Sequence, residues 1–160
     1  VKDVMVPFAQ CATVSEDATL HEAVLALEAP RQRGDRWDYR FRVILVYDKQ
    51  FRVVGTLRQL QVLKGLEKIM RPSDPAGYQF WGDTLNDICR KAKELKVRDL
   101  MSVPSKGEFI SEGADLNEAI HKMLQGDHLS LVVTGEKGFV GIIRLSDVFR
   151  EVCEEIKMGF

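Results

Sequence analysis

The chain has 160 residues, 45% of them apolar and 29% charged, with a formal net charge of -1 at pH 7. That composition suits one globular domain or two small intertwined ones and excludes wholesale disorder, and its charge balance gives no general attraction to nucleic acid or an anionic membrane. No apolar run nears the ~20 residues that cross a bilayer, and no basic start followed by an apolar stretch suggests a signal peptide.

From the N-terminus, Val1-Lys2-Asp3-Val4-Met5 leads into a short extended piece, Ala12 to Val14. Thr19-x-x-Glu22 then reads as a capping box, in which a side-chain oxygen and a later carboxylate satisfy free amides of a helix's first turn. Leu20, Ala23, Val24 and Leu27 follow at helical spacing. Residues 31–42 interleave five arginines with Trp37, Tyr39 and Phe41. This stretch reads either as an exposed loop whose arginines pair with Asp35 and Asp38, or as a surface for bases and phosphates. Val43 to Tyr47 and Val53 to Leu57 are β-rich runs split at Asp48-Lys49-Gln50, the pattern of a hairpin. Val62, Leu63, Leu66 and Met70 predict a helix with one apolar face.

Arg71-Pro72-Ser73-Asp74-Pro75-Ala76-Gly77 stops that helix. Tyr78, Phe80 and Trp81 follow, and Asp83 to Leu95 predicts an amphipathic helix bearing Leu85, Ile88, Cys89, Ala92 and Leu95. This linker is more than a spacer requires. It is expected to pack across the module or a dimer mate and to gate a cleft.

The rest of the chain repeats the beginning. Val97-Arg98-Asp99-Leu100-Met101 returns Val1 to Met5 at an offset of 96. The same offset joins Val14-Ser15-Glu16 to Ile110-Ser111-Glu112 and Leu20-His21-Glu22-Ala23 to Leu116-Asn117-Glu118-Ala119. Asp115-x-x-Glu118 supplies the second capping signal, and Met123 extends the helical spacing. Later residues align at an offset of 86, Gly55 on Gly141 and Arg58 on Arg144. The first copy therefore holds about ten extra residues between Ala23 and Val43, placed at Ala29 to Arg36. Leu129 to Thr134 and Phe139 to Ile143 form the second hairpin, and Val148, Phe149, Val152 and Ile156 the second closing helix. The fold class is α/β (α+β), a β-α-β-β-α unit used twice with an inserted helical linker. The expected division is 1–70, a linker 71–96, and 97–160. One unit is too small to bury its apolar face alone, so the copies are expected to pack on each other.

An Asp-x-Met opening, a helix start around Leu116-Asn117-Glu118-Ala119, and Gly141-Ile142-Ile143-Arg144-Leu145-Ser146-Asp147-Val148 together resemble cystathionine-β-synthase-type (CBS) domains. The resemblance covers residues 1–66 and 97–157, and the second copy is the better match. It implies a tandem pair (a Bateman module) about a pseudo-twofold axis with two clefts between the repeats. It further implies a homodimer, an adenine nucleotide (AMP, ADP or ATP) or S-adenosylmethionine as regulatory ligand, and a regulated protein as partner.

In such modules the turn into the last helix reads Gly-h-h-Thr/Ser-x-x-Asp, the Asp holding ribose hydroxyls and the Thr/Ser helping to bind phosphate. Carboxylates accept two hydroxyl bonds, and helix N-termini favour anions. The second copy keeps Gly141 and Asp147 but has Arg144 at the hydroxyl position. The first has Gly55, Arg58 and Gln61, lacking both hydroxyl and acid. Two readings are open. In one, Asp147 grips a ribose and Arg144 supplies bidentate phosphate charge. In the other, Asp147 favours its helix through the dipole and Arg144 is a solvated surface cation. By family position the remaining candidates are Met101, Ser102, Phe109, Ile110, Ile142 and Ser146 for the second copy, and Met5, Val14, Thr56 and Arg58 for the first. Core packing is the alternative for each.

Cys11, Cys89 and Cys153 match no zinc or redox spacing and read as free thiols of a reducing cytoplasm. His21, His121 and His128 make no metal set. With no catalytic triad, phosphate loop or metal motif, the chain is expected to be a ligand-sensing regulatory module and not an enzyme. The alternative is a ligand-free structural dimerisation module.

Overall fold

The first helix begins where its capping signal lies. Thr19 Oγ1 accepts the Glu22 N–H at 3.2 Å and Glu22 Oε2 accepts the Thr19 N–H at 2.7 Å, opening α1 (Leu20–Glu28). In this computed structural model, residues 1–28, 43–70 and 84–159 are described. The arginine-rich stretch 31–42 and Tyr78, Phe80 and Trp81 lie outside them.

Strand β1 (Val6–Pro7) and a short 3-10 turn precede β2 (Ala12–Ser15) and α1. Beyond α1 come β3 (Val43–Tyr47), β4 (Val53–Arg58), α2 (Gln59–Met70), α3 (Leu85–Ala92) and α4 (Val97–Leu100). The second copy supplies β5 (Phe109–Ser111), α5 (Leu116–Gly126), β6 (Ser130–Gly135), β7 (Gly138–Arg144) and α6 (Leu145–Met158). The order β-α-β-β-α thus occurs twice. Strand β2 pairs parallel with β3, which pairs antiparallel with β4; β5, β6 and β7 do the same. A parallel pair needs a crossover, and α1 and α5 provide it.

Two compact units result, residues 12–103 and residues 104–160 with 1–11. In the 12–103 unit, Ala12, Val14, Ile44, Val46 and Leu57 of the sheet face Leu20 and Ala23 of α1, Ala92 of α3 and Val97 and Leu100 of α4. Linker helix α3 opens on a Thr84–Asp87 capping box and buries Ile88 and Ala92. It packs beside α2, and the chain after it bonds to α1, with Leu20 N–H donating to Leu95 O at 2.7 Å. In the other unit, Ile110, Leu131, Val133 and Ile143 of the sheet meet Ala119 and Met123 of α5 and Val148 of α6.

The two units are built alike down to single hydrogen bonds. In the 104–160 unit, Val1 donates its amino group to Ala114 O at 2.9 Å, and Lys2 N–H donates to Glu112 O at 3.2 Å. At the equivalent places of the other unit, Val97 N–H donates to Ala18 O and Arg98 N–H to Glu16 O. The opening segment of the first copy therefore completes the sheet holding β5–β7, as β1 alongside β7. The opening segment of the second copy lies along β4, where Thr56 and Ser102 exchange both backbone hydrogen bonds at 2.9 and 2.8 Å.

One apolar face was expected of each closing helix, and the structure divides it. Val62 and Leu66 pack on their core, whereas Leu63 is exposed; Val148 is buried, whereas Phe149 and Ile156 are exposed. Consecutive helical residues lie about 100° apart, so Leu63 and Phe149 cannot share the narrow seam their neighbours occupy.

Candidate ligand site

The turn from β7 into α6 brings Arg144, Asp147 and Arg150 together. Asp147 sits at the third residue of α6 and is 3% exposed. Its Oδ2 accepts from Arg144 Nε at 2.6 Å, and its Oδ1 accepts from Arg144 Nη2 at 2.6 Å. The same Oδ2 also accepts the Arg144 backbone N–H at 3.4 Å, and the Arg150 guanidinium stands 3.7 Å from Oδ1. The guanidinium fork matches the two carboxylate oxygens, and the Arg144 side chain is 15% exposed. The Arg144 side chain is thus not a solvated surface cation. It is an internal partner of the acid.

The equivalent turn in the 12–103 unit keeps the cap without the charge, as Gln61 Oε1 accepts the Arg58 N–H at 3.0 Å. Both copies therefore use the third helical side chain to satisfy the residue before the helix, one reason an acid or amide belongs there.

The glycine that opens each motif has a packing cause. A Cβ on Gly141 would lie 2.3 Å from Val6 O and 3.3 Å from Met5 Sδ; one on Gly55 would lie 2.7 Å from Met101 Sδ and 3.1 Å from Ser102 O. Met5 and Met101 each lean on the glycine of the unit that their segment completes.

Register decides which other candidates meet. Phe109, Val132, Ile142 and Val6 form one cross-strand row, as do Thr13, Leu45, Thr56 and Ser102 in the other unit. These rows lie on the sheet faces opposite the two cores, because neighbouring strand residues alternate in side. Ile110 and Val14 instead belong to the cores. Met101 lies against Gly55 and Ser102 pairs with Thr56, while Met5 lies against Gly141, so grouping them by sequence copy separates residues that the fold joins. Ser146 is exposed. Val6 and Val132 share the row of Ile142, and Thr13 and Leu45 that of Thr56. Thr56 is 0% exposed, and its Oγ1 has no hydrogen-bond partner among the described residues.

Matches to the CBS domain family model cover residues 1–68 and 97–154. The chain belongs to the CBS domain family. Its fold is that of CBS domain pairs: a CBS domain-containing protein of unknown function from Bacillus anthracis is similar over 96% of this chain and 92% of its own, at TM-score 0.67 and 18% identity. CBSX2 in complex with AMP is similar over 96% of both chains, at TM-score 0.64 and 18% identity. The CBS domain of a bacterial CNNM/CorC family Mg2+ transporter in complex with ATP is similar over 95% of this chain and 85% of its own, at TM-score 0.64 and 16% identity. A search of curated proteins gives no match. Among the described residues, no helix is long and apolar enough to cross a membrane, and no group of three or more His, Cys, Asp or Glu side chains could hold a metal ion.

Proposed function

We propose that this CBS pair is a non-catalytic regulatory module that senses an adenine nucleotide or a related adenosyl ligand, and that Asp147 meets the ligand's ribose. The observation that carries this reading is Asp147 itself, a carboxylate 3% exposed at the first turn of α6, where an acid can accept two vicinal hydroxyls and free helix amides lie near. Two similar CBS structures are complexes with AMP and with ATP, which supports the ligand class. The residues fit such a ligand in part. The acid is present, but both its oxygens accept from Arg144, and neither turn carries the family's Thr or Ser. In the row opposite the core, the exposed ring of Phe109 offers apolar surface to a flat base.

Isothermal titration with AMP, ADP, ATP and S-adenosylmethionine tests the reading. Saturable heat with at least one of them, weakened by Asp147→Asn, is expected; no heat with any would leave the alternative, a ligand-free dimerisation module. That alternative draws on the Arg144–Asp147 pair, which satisfies the acid internally. A homodimer belongs to both readings, with the exposed Leu63 and Phe149 as apolar side chains for a second copy to bury. The regulated protein and a cytoplasmic location are parts of the same proposal.

A further inference from the structure

We propose that the tip of the β3–β4 hairpin docks on a second copy of this chain, and that its seat there is the acidic flank at the C-terminal end of α6. Phe51 N–H donates to Asp48 O at 3.0 Å and Asp48 N–H donates to Arg52 O at 2.9 Å, which closes a turn with Phe51 at a left-handed φ of 59°. Glycine or asparagine suits such a position, and a bulky side chain there is strained. The β6–β7 hairpin obeys that preference with Gly138. The Phe51 ring gains little cover in return: it stacks on Tyr47 with centroids 5.8 Å apart and stays 84% exposed. Asp48 holds the turn through the Gln50 and Arg52 amides, so little freedom remains to be lost on binding. Exposed Lys49 and Arg52 flank the ring.

Glu151, Glu154, Glu155 and Met158 follow the spacing i, i+3, i+4, i+7 and so share one face of α6. Met158 is 74% exposed, and Glu154 and Glu155 are exposed beside it. Carboxylates this near a helix C-terminus are disfavoured by the dipole. Lys157 pairs with Glu154 at 2.8 Å, which leaves Glu151 and Glu155 without an ion pair among the described residues. Each surface therefore carries what the other lacks, a ring and cations on the tip, a polarisable thioether and carboxylates on the helix. Both also break a local preference that the fold does not need broken. Met158 points about 180° around α6 from Phe149, so the contact is separate from a homodimer built on Leu63 and Phe149. The two patches differ, and the contact joins copies head to tail.

Analytical ultracentrifugation of the full chain over a concentration series tests this, with Phe51→Asn to remove the ring and Glu154→Lys with Glu155→Lys to reverse the seat. Wild type is expected to keep gaining mass beyond a dimer as concentration rises, and less so at high salt. Each variant should weaken that association roughly tenfold or more, the scale of losing an anchor residue. Phe51→Asn should also raise the urea midpoint, because asparagine takes a left-handed φ more readily than phenylalanine. A lowered midpoint would show the ring to be structural and overturn the inference. Mixing the two variants is the sharpest arm. One keeps the seat and the other the tip, so the mixture should recover a contact that neither makes alone. A wild type that stops at a monomer or dimer, association equal to wild type in either variant, or mixing without recovery overturns the inference. None of these outcomes bears on the ligand reading.

Discussion

At the scale of single residues, polar side chains are mostly spoken for by their own backbone neighbourhood. Asp48 holds the β3–β4 turn: its Oδ1 accepts the Gln50 and Arg52 N–H groups at 2.9 and 3.0 Å, and Oδ2 accepts Arg52 Nε at 2.9 Å. These bonds, the Arg52 N–H foremost, hold its carboxyl below the ordinary value of 3.8. A carboxyl lowered by folding stabilises the native state above its unfolded pKa and loses that contribution as pH falls through its folded value. Asp48→Asn, which keeps an acceptor oxygen but no charge, is therefore expected to lower the urea midpoint at pH 7. The gap to wild type should begin to close below about pH 4; a gap that is constant with pH would show that charge plays no part. Thr56 gives the opposite case, a buried hydroxyl with no hydrogen-bond partner among the described residues. Thr56→Val should stabilise the free protein by about 1 kcal/mol in urea titration, since it removes an unsatisfied group at nearly constant shape. For Asp147→Ala we expect a loss of about 1–3 kcal/mol, less than the roughly 3–5 of a fully buried broken pair because Arg144 keeps some exposure.

At the scale of elements, local signals and local structure agree wherever a cap or turn decides the matter. Thr19-x-x-Glu22 gives its reciprocal bonds, and Asp115 accepts the Glu118 N–H at 2.8 Å. The β6–β7 hairpin closes through Gly138 at φ 104°, a backbone region that favours glycine. The two-strand spacing of each copy was likewise legible, because β-branched runs broken by polar turns leave few alternatives. Asp115→Ala should cost about 1 kcal/mol and lower the protection of α5 amides from hydrogen exchange. Gly141→Ala has a tertiary cause instead: its Cβ would lie 2.3 Å from Val6 O. It is expected to destabilise by about 1–3 kcal/mol, the range for overpacking, and to loosen the β1–β7 pairing in hydrogen exchange. The motif glycine thus marks close approach of the chain's opening segment, a reason that no spacing in the sequence discloses.

At the scale of the whole molecule, copies in the sequence and compact units in space are cut at different places. Met5 packs with the core of the unit that holds residues 104–160. Met5→Ala should therefore reduce hydrogen-exchange protection around Ile142 and Ile143, by about 1–2 kcal/mol for a half-buried side chain, while β3 and β4 stay protected. Loss confined to β2–β4 would contradict that division.

By itself the sequence determined the order of elements, the duplication and the family, because caps, strand alternation and an ungapped offset act over a few residues each. It also named the acid of the candidate site, since Asp147 stands in a motif of contiguous residues. Only the tertiary structure decided what that acid touches, which copy each opening segment completes, and that Ile110 and Val14 face cores. These depend on strand register and on approaches between residues far apart in the chain, such as Val6 with Ile142 and Thr56 with Ser102. Local rules fix the direction of a side chain along its element; what lies opposite is fixed when elements pack.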